Sequence, residues 1–298
     1  MKIIVSGATG LVGRALLPSL RADGHQVTSL VRKQTGTGSE VLWNPAAGQL
    51  DAAGLEGYEA IVHLAGENVG EGRWTEEKKQ SIRDSRVQGT SLLAGALARL
   101  ATPPRVFVSA SAIGYYGDRG AEVLTEESAP GADFLSGVCR EWEAAADAAR
   151  AAGIRVVSLR FGVILSADGG ALKKMLTPFK LGAGGQVGGG EQYMSWLTLD
   201  DAVGAIKHAL SREDLRGAVN VVAPHPATNG EFTKMLGKVL GRPTFFPVPA
   251  FAARLAFGEM ADALLLASTR VEPARLKATG YQFKHPQLEN GLRHALGK

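Results

Sequence analysis

The sequence predicts an α/β protein in which a doubly wound parallel sheet carries a smaller, mostly helical lobe at its carboxyl end. Two observations predict this class. Short apolar runs alternate with helically spaced segments through the first half of the chain. A glycine-rich segment, SGATGLVGR at 6–14, lies between the first apolar run and the first helical segment, at the turn where such sheets bind ligands.

The individual strands and helices follow from these patterns. The apolar runs predict strands at 2–7, 26–32, 60–66, 105–111 and 155–165. Helical spacing predicts helices at 11–23, after Trp74 and from residue 134. Thr75 is the expected N-cap of the second helix, because Glu76 and Glu77 follow it in the first turn. The near-continuous apolar run at 60–66 is typical of a strand that is buried on both faces.

The alternation loosens after about residue 165, where we expect a second part of the molecule to begin. A glycine-rich stretch at 181–190 interrupts the pattern, and residues 223–298 are mostly helical in their spacing. Asp200 is a predicted helix cap, with Asp201 in the first turn. We therefore predict a nucleotide-binding core at 1–165, with its sheet completed by parts of 166–222, and a substrate lobe at 166–298.

Composition excludes several classes of function. The chain has 298 residues, a net charge of +4 and no basic run, so no nucleic-acid partner is expected. No apolar run reaches the roughly 18 residues that cross a bilayer, and MKIIVSG enters a strand at once, which leaves no room for a signal peptide. A cytoplasmic protein is the expectation. The six histidines are scattered along the sequence, so no metal site is predicted.

The glycine-rich turn predicts a bound pyrophosphate. Its glycines are spaced G-x-x-G-x-x-G, and the turn must be tight while its backbone closely approaches the phosphates, which side chains would obstruct. The amide groups at the helix start then bind the anion. A glycine-rich turn without any ligand is the alternative. The candidate cofactor contacts here are Gly7, Thr9, Gly10, Leu11, Val12 and Gly13.

The end of the second strand decides which dinucleotide is expected. An enzyme that uses NAD usually places Asp or Glu there to bind the ribose hydroxyls. This chain has Arg32, followed by Lys33. A guanidinium can bind a 2′-phosphate through two hydrogen bonds, whereas a carboxylate would repel it. NADP is therefore the predicted cofactor, and a solvated basic turn is the alternative interpretation of Arg32.

Several further segments give the chain a family resemblance. They are VHLAG (62–66), RVQGT (86–90), VSASAIGYYGD (108–118), LRFGVIL (159–165), GENVGEGRWTEEKKQSIRDSR (66–86), GGQVGGGEQYMSWLTLDD (184–201), ATNGEFTKMLGKVLGRP (227–243) and ATGYQF (278–283). With SGATGLVG, they resemble the extended short-chain dehydrogenase/reductase superfamily, and within it the atypical, YfcH-like branch of NAD-dependent epimerase/dehydratase-like proteins. The resemblance implies a Rossmann-type fold, NADP and a small substrate lobe, but no particular reaction. The further cofactor contacts inferred with it are Leu64, Ala65, Gly66, Arg86, Ser109 and Val163.

The superfamily's catalytic residues are largely missing. Its members use an Asn-Ser-Tyr-Lys set, in which the tyrosine moves the proton and the lysine lowers the tyrosine pKa and binds the ribose. None of the five tyrosines has a lysine four residues later. With Glu143 as the last acid of the family pattern, the tyrosine position is Leu135 and the lysine position is Cys139. Arg86 stands at the asparagine position and can instead hold a cofactor phosphate or a substrate carboxylate.

Ser111 is the one member of the set that remains, and it is expected to position a substrate oxygen. Tyr115 and Tyr116 follow the same strand, in the loop where such sheets bind ligands, so either is a candidate proton donor. Their packing as ordinary loop aromatics is the alternative.

Two hypotheses of function follow. The first is an NADP-dependent oxidoreductase or nucleotide-sugar epimerase-like enzyme that acts on an unidentified small molecule. The second is a non-catalytic NADPH-binding sensor or scaffold, which the lost residue set favours. The sequence leaves the substrate, the protein partners and the oligomeric state open.

Overall fold

The computed structural model describes residues 1–36 and 38–298, and its strands and helices alternate through the first half of the chain. The strands are β1 (Lys2–Ser6), β2 (Gln26–Val31), β3 (Glu40–Asn44), β4 (Gln49–Leu50), β5 (Ala60–His63), β6 (Val106–Ala112), β7 (Val123–Leu124), β8 (Arg155–Phe161), β9 (Val163–Leu165), β10 (Tyr193–Met194), β11 (Trp196–Thr198), β12 (Gly217–Val221), β13 (Ala227–Thr228) and β14 (Arg270–Val271).

The helices flank the sheet and dominate the carboxyl-terminal part. They are α1 (Leu11–Ala22), α2 (Glu76–Leu97), α3 (Phe134–Ala144), α4 (Asp147–Ala151), α5 (Gly170–Lys180), α6 (Leu199–Ser211), α7 (Asn229–Leu240), α8 (Ala250–Phe257), α9 (Glu259–Ala261), α10 (Ala274–Ala278) and α11 (Leu288–Leu296). Short 3₁₀ turns lie at Pro45–Ala47, Ala53–Leu55 and Ile113–Tyr116, and a π-helical turn lies at Asp262–Leu266. Among the described residues, no helix is both long enough and apolar enough to span a membrane.

The central sheet has the strand order β12-β8-β6-β5-β1-β2-β3-β4. Every neighbouring pair is parallel except the edge pair β3–β4. The chain runs outward from β1 in one direction through β2 and β3, and then returns to build the other half from β5. This reversal at β1 is the doubly wound topology, so the predicted fold class is confirmed, and ligands bind at such a point.

Alternating residues of β1 show how the sheet is covered on both faces. Ile3 and Val5 pack in one cluster with Leu16 of α1 and Ile206 of α6. Ile4 packs on the opposite face, in a second cluster that includes residues of α2 and α4. Because successive side chains of a strand point to opposite faces, a strand between two helical layers must be apolar throughout. This explains the near-continuous apolar runs in the sequence.

The segment 155–165 differs from the prediction, because it forms two strands rather than one. Gly162 separates β8, which pairs with β6 and β12, from β9, which pairs with β11. The Gly162 amide donates to the Val221 carbonyl at 3.1 Å, and the next amide, of Val163, donates to Ser195 at 2.9 Å. A Cβ at Gly162 would lie 2.5 Å from the Ser195 carbonyl oxygen. The chain therefore changes sheets at one glycine.

The start of α6 also differs from the prediction. Thr198, not Asp200, is the N-cap, and its hydroxyl accepts a hydrogen bond from the Asp201 amide. Asp201 is almost fully buried, and its carboxylate accepts hydrogen bonds from the amides of Lys284 and His285 at 2.8 and 3.1 Å. A buried carboxylate requires such donors, so Asp201 fixes the loop before α11 against α6. Asp200 was wrongly predicted as the cap.

Candidate functional site

The carboxyl ends of β1, β5, β6 and β8 meet along one edge of the sheet, because these strands are parallel neighbours. The glycine-rich turn follows β1, the segment 64–66 follows β5, the 3₁₀ turn Ile113–Tyr116 follows β6, and Gly162 follows β8. The residues that the sequence singled out along this edge are therefore brought together. We call this edge the groove.

The glycine-rich turn is tight and closely packed. Gly7 has φ +70°, and a Cβ there would lie 2.7 Å from the Leu64 carbonyl carbon. A Cβ on Gly13 would overlap the Gly7 carbonyl oxygen. Gly10 is the N-cap of α1 and, within the described chain, no side chain caps this helix start. The first amide groups of α1 are thus available to an anion, which fits a pyrophosphate.

The other predicted residues of the turn line its outer side. Thr9 and Gly10 are exposed, while Leu11 and Val12 are half-buried at the start of α1. The Leu11 side chain lies against Gly169, where a Cβ would approach it to 3.2 Å. Leu11 therefore contacts the segment that leads into α5, which forms the neighbouring wall of the turn.

A hydrogen bond that the sequence did not indicate fixes the turn to β5. The buried Ser6 hydroxyl lies 2.6 Å from Nδ1 of His63, and it also accepts from the amides of Leu64 and Ala65 at 3.1 and 3.3 Å. Burial lowers the pKa of His63 to about 4, so its imidazole is neutral. Ser6 and His63 thus set the distance between the glycine turn and the segment 64–66. Only their adjacency to the motifs could have signalled this role.

Arg32 lies where the sequence placed it, just past the end of β2. Because β2 pairs with β1 and Leu30 lies beside Ser6, Arg32 is next to the glycine turn. Its side chain is exposed, and in the described part of the chain no hydrogen bond or ion pair engages it. A guanidinium with five unengaged donors beside a phosphate-binding turn suits a ribose phosphate.

Arg86 approaches the groove from α2. A Cβ on Gly66 would lie 3.4 Å from the Arg86 guanidinium carbon, so the side chain packs directly on this glycine. The guanidinium also lies 5.0 Å from the Trp142 ring centre and donates to the Ile82 carbonyl at 3.0 Å. Burial lowers the pKa of Arg86, and the nearby Glu67 carboxylate opposes this shift. A half-buried cation at the end of β5 can bind an anionic group of a ligand.

Ser111 belongs to a buried polar network that crosses the end of the sheet. Its hydroxyl donates to Glu143 at 2.7 Å, and both Glu143 oxygens accept from Arg160, at 2.7 and 2.8 Å. Arg160 also donates to the Tyr116 hydroxyl at 2.9 Å, and this hydroxyl donates to Asn220 at 2.6 Å. Ser111 is thus oriented by a carboxylate that a guanidinium fixes. The sequence had not assigned Glu143, Arg160 or Asn220 to this network.

The two candidate tyrosines are in different environments. Tyr116 is fully buried, and burial raises the pKa of its phenol to about 12. Its hydroxyl already donates to Asn220 and accepts from Arg160, so it cannot reach a substrate. Tyr115 is half-buried, and the Arg160 guanidinium lies 3.4 Å from its ring centre. Tyr115 is the tyrosine that remains a candidate donor, while Tyr116 has a structural role.

The positions of the missing tyrosine and lysine face the groove as apolar or neutral groups. Leu135 and Cys139 lie one turn apart on α3, and both approach Gly114 in the turn after β6. Burial raises the pKa of the Cys139 thiol to about 12, so it stays neutral. Among the described residues, no tyrosine hydroxyl bonds to a lysine. The cation beside Tyr115 is Arg160.

Ser109 and Val163 occupy the strands themselves. Ser109 lies within β6, level with His63 and Ser158, and its hydroxyl donates to the Ala110 carbonyl at 3.3 Å. It is 3% exposed, so it supports the groove from below its surface. Val163 is half-buried at the start of β9, two residues past the end of β8.

Comparison with known proteins identifies relatives along the whole chain. Residues 3–222 match the NAD dependent epimerase/dehydratase family, and residues 248–295 match a domain of unknown function (DUF1731). The human epimerase family protein SDR39U1 is 39% identical over 299 residues, which are 98% of this chain and 99% of the human chain. An epimerase family protein of Mycobacterium leprae is 39% identical over 293 residues, which are 98% of this chain and 95% of that one.

Solved structures agree with this relationship. The crystal structure of human SDR39U1 (isoform 2) with NADPH superposes with a TM-score of 0.91 at 37% identity, over 100% of both chains. A nucleoside-diphosphate sugar epimerase from Corynebacterium glutamicum gives a TM-score of 0.82 at 37% identity, over 100% of this chain and 58% of that one. The UDP-N-acetylglucosamine 4-epimerase of Bacillus cereus, at 18% identity and a TM-score of 0.78, shares the fold.

Proposed function

The chain belongs to the NAD dependent epimerase/dehydratase family, and we propose that it is an NADP-dependent oxidoreductase or epimerase-like enzyme for a small molecule. The observation that carries the proposal is the groove itself. Its glycine-lined phosphate turn and unengaged Arg32 lie at the same sheet edge as the oriented Ser111. The predicted resemblance to the epimerase family is confirmed by the match over 3–222.

NADP is the cofactor of this chain. The residues present fit it, because the turn leaves no room for a Cβ at Gly7 or Gly13 and α1 begins without a side-chain cap. Arg32 would bind the 2′-phosphate, and the amides of Leu11 and Val12 would face the pyrophosphate. The human relative, 37% identical over its whole length, was crystallised with NADPH. When bound, the cofactor supplies hydride-transfer chemistry.

The chain's own residues would position the substrate and move one proton. Ser111 offers its oxygen lone pairs to a substrate hydroxyl group, which would donate to it, since its own proton is committed to Glu143. Tyr115, stacked on Arg160, is the proton donor in this proposal. Leu135 and Cys139 exclude water beside Gly114 but transfer no proton, because one has no ionisable group and the other is a buried neutral thiol.

The experiment follows NADPH absorbance with the purified full-length protein and a panel of ketones, aldehydes and nucleotide sugars. Tyr115→Phe is expected to lower consumption at least about 100-fold, the usual scale of a lost general acid, while NADPH affinity changes less than about twofold. Tyr58→Phe is the matched control, because its hydroxyl bonds to Thr28 at the opposite edge of the sheet. Unchanged turnover in Tyr115→Phe would exclude Tyr115 as the donor.

The second candidate function is an NADPH-binding sensor or scaffold. The observation that favours it is the chemistry of α3, where Leu135 and Cys139 occupy the positions of the proton-transfer pair. In this case NADPH binds tightly but is not consumed with any member of the panel. Consumption that depends on Tyr115 would exclude this alternative.

A further inference from the structure

Three side chains that are scattered in the sequence converge where the carboxyl-terminal segment meets the core. Asp200, His285 and His294 each present a ligand atom, and these atoms all lie within 4.8 Å of one another. Nε2 of His294 is 3.2 Å from the Asp200 carboxylate, and the two imidazole rings stack with centres 4.1 Å apart. We propose that this cluster is a binding site for a divalent transition metal ion such as Zn²⁺.

The donor set defines the class of metal. Two imidazoles and one carboxylate suit borderline ions such as Zn²⁺, Co²⁺ and Ni²⁺, whereas Mg²⁺ and Ca²⁺ prefer oxygen ligands alone. Zinc bonds of about 2.0–2.2 Å place the ligand atoms of a tetrahedral site about 3.3 Å apart. The side chains of Asp200 and His294 are each 44% exposed, so rotation about their side-chain bonds can close the remaining distance. Water completes the coordination.

The backbone around the cluster is held in place before any metal binds. Buried Asp201, next to Asp200, accepts the amides of Lys284 and His285 and so fixes the position of the His285 backbone. The other histidine is on α11, and this helix packs so closely on β11 that a Cβ at Gly291 would lie 2.7 Å from the Trp196 ring. The three ligands therefore come from three fixed segments, as a preorganised metal site requires.

A bound ion would cross-link the segment that matches the domain of unknown function, at 248–295, to the helix α6 of the core. Binding to the folded state alone raises stability with metal concentration. Lys284 opposes the metal, since its ammonium lies 4.0 Å from the Asp200 carboxylate. This lysine is 63% exposed and can move away, but its charge lowers the affinity of the site.

The test uses the tag-free full-length protein, stripped with a chelator and titrated with Zn²⁺ by calorimetry and thermal unfolding. We expect one ion per chain and a rise in Tm, with affinity reduced at least tenfold in His285→Ala, in His294→Ala and in Asp200→Asn. His225→Ala is the matched control, because His225 is exposed and lies outside the cluster, and it should bind as the wild type does. Co²⁺ should give visible absorption bands that Zn²⁺ displaces.

Lys284→Ala adds a test of opposite sign. Removing this cation should tighten Zn²⁺ binding several-fold, an effect that loss of a merely structural ion pair would not produce. Zn²⁺ affinity that is undiminished in His285→Ala or His294→Ala would overturn the proposal. So would the absence of Zn²⁺ binding to the wild-type protein at millimolar concentration.

Discussion

The Ser6 hydroxyl and Nδ1 of His63 lie 2.6 Å apart in a fully buried hydrogen bond between β1 and β5. Burial lowers the pKa of His63 to about 4, whereas an unfolded histidine titrates near 6.5. As the pH falls, His63 is therefore protonated in the unfolded state before it is protonated in the folded state. The stabilisation is complete above about pH 6.5 and is lost as pH falls through about 4, a difference of about 3 kcal/mol.

His63→Asn should remove this pH dependence, because asparagine does not titrate. Urea unfolding at several pH values between 7 and about 4 measures the difference in slope between this variant and the wild type. His225→Asn, at an exposed position, should retain the wild-type slope. Equal slopes for wild type and His63→Asn would show that His63 is not the responsible group.

Glu143 should stabilise the fold strongly because it pairs with a buried cation. Arg160 is 4% exposed at its side chain, and Glu143→Gln would leave its charge without a counter-ion. We expect the free energy of unfolding to fall by about 3 kcal/mol or more. Denaturant titration measures the loss. Glu141→Gln, in an exposed pair with Arg83, should cost less than about 1 kcal/mol, and similar losses in both variants would contradict the prediction.

Gly13→Ala tests the close packing of the phosphate turn. The added methyl group would overlap the Gly7 carbonyl oxygen, so we expect about 1–3 kcal/mol of destabilisation and a large loss of NADPH affinity. Gly137→Ala is the matched substitution within α3, where a Cβ meets nothing within 4 Å. It should stabilise the protein by about 0.5–1 kcal/mol. Thermal unfolding and fluorescence titration with NADPH distinguish the two variants. Unchanged stability and NADPH affinity in Gly13→Ala would contradict the close packing of the phosphate turn.

Arg32→Ala should change the preference between cofactors. Losing a charge-assisted contact with the 2′-phosphate removes about 1.5–3 kcal/mol, so NADPH affinity should fall about 10–100-fold while NADH affinity changes little. Calorimetry with both nucleotides measures this. Arg105→Ala, at an exposed position before the amino end of β6, should affect neither. Equal losses for the two nucleotides would refute the assigned role of Arg32.

Local patterns predicted much of the fold. The apolar runs and the Thr75 cap agree with the structure, because they depend on burial and on contacts three residues apart. The break at Gly162 was missed, since the segment 155–165 has strand-forming residues on both sides of the glycine and only the Ser195 carbonyl shows why a glycine is required. Thr198 rather than Asp200 caps α6, because the helix begins two residues earlier than the acidic pair suggested.

The site was less accessible from sequence because its contacts join distant residues. Tyr116 and Asn220 are 104 positions apart, so their hydrogen bond, which buries the tyrosine hydroxyl, has no local signal. The same holds for Asp200 and His294, which meet because α11 packs back on β11, next to the start of α6. Histidines that are isolated in sequence are therefore not isolated in space.

The single glycine between β8 and β9 determines how the groove can open. Gly162 donates a backbone hydrogen bond to Val221, and Val163 donates one to Ser195. The backbone is therefore hydrogen-bonded on both sides of the junction. These bonds restrain movement of the β9–β11 pair relative to the central sheet. We therefore expect the distance between the central sheet and the β9–β11 pair to stay constant when a substrate binds.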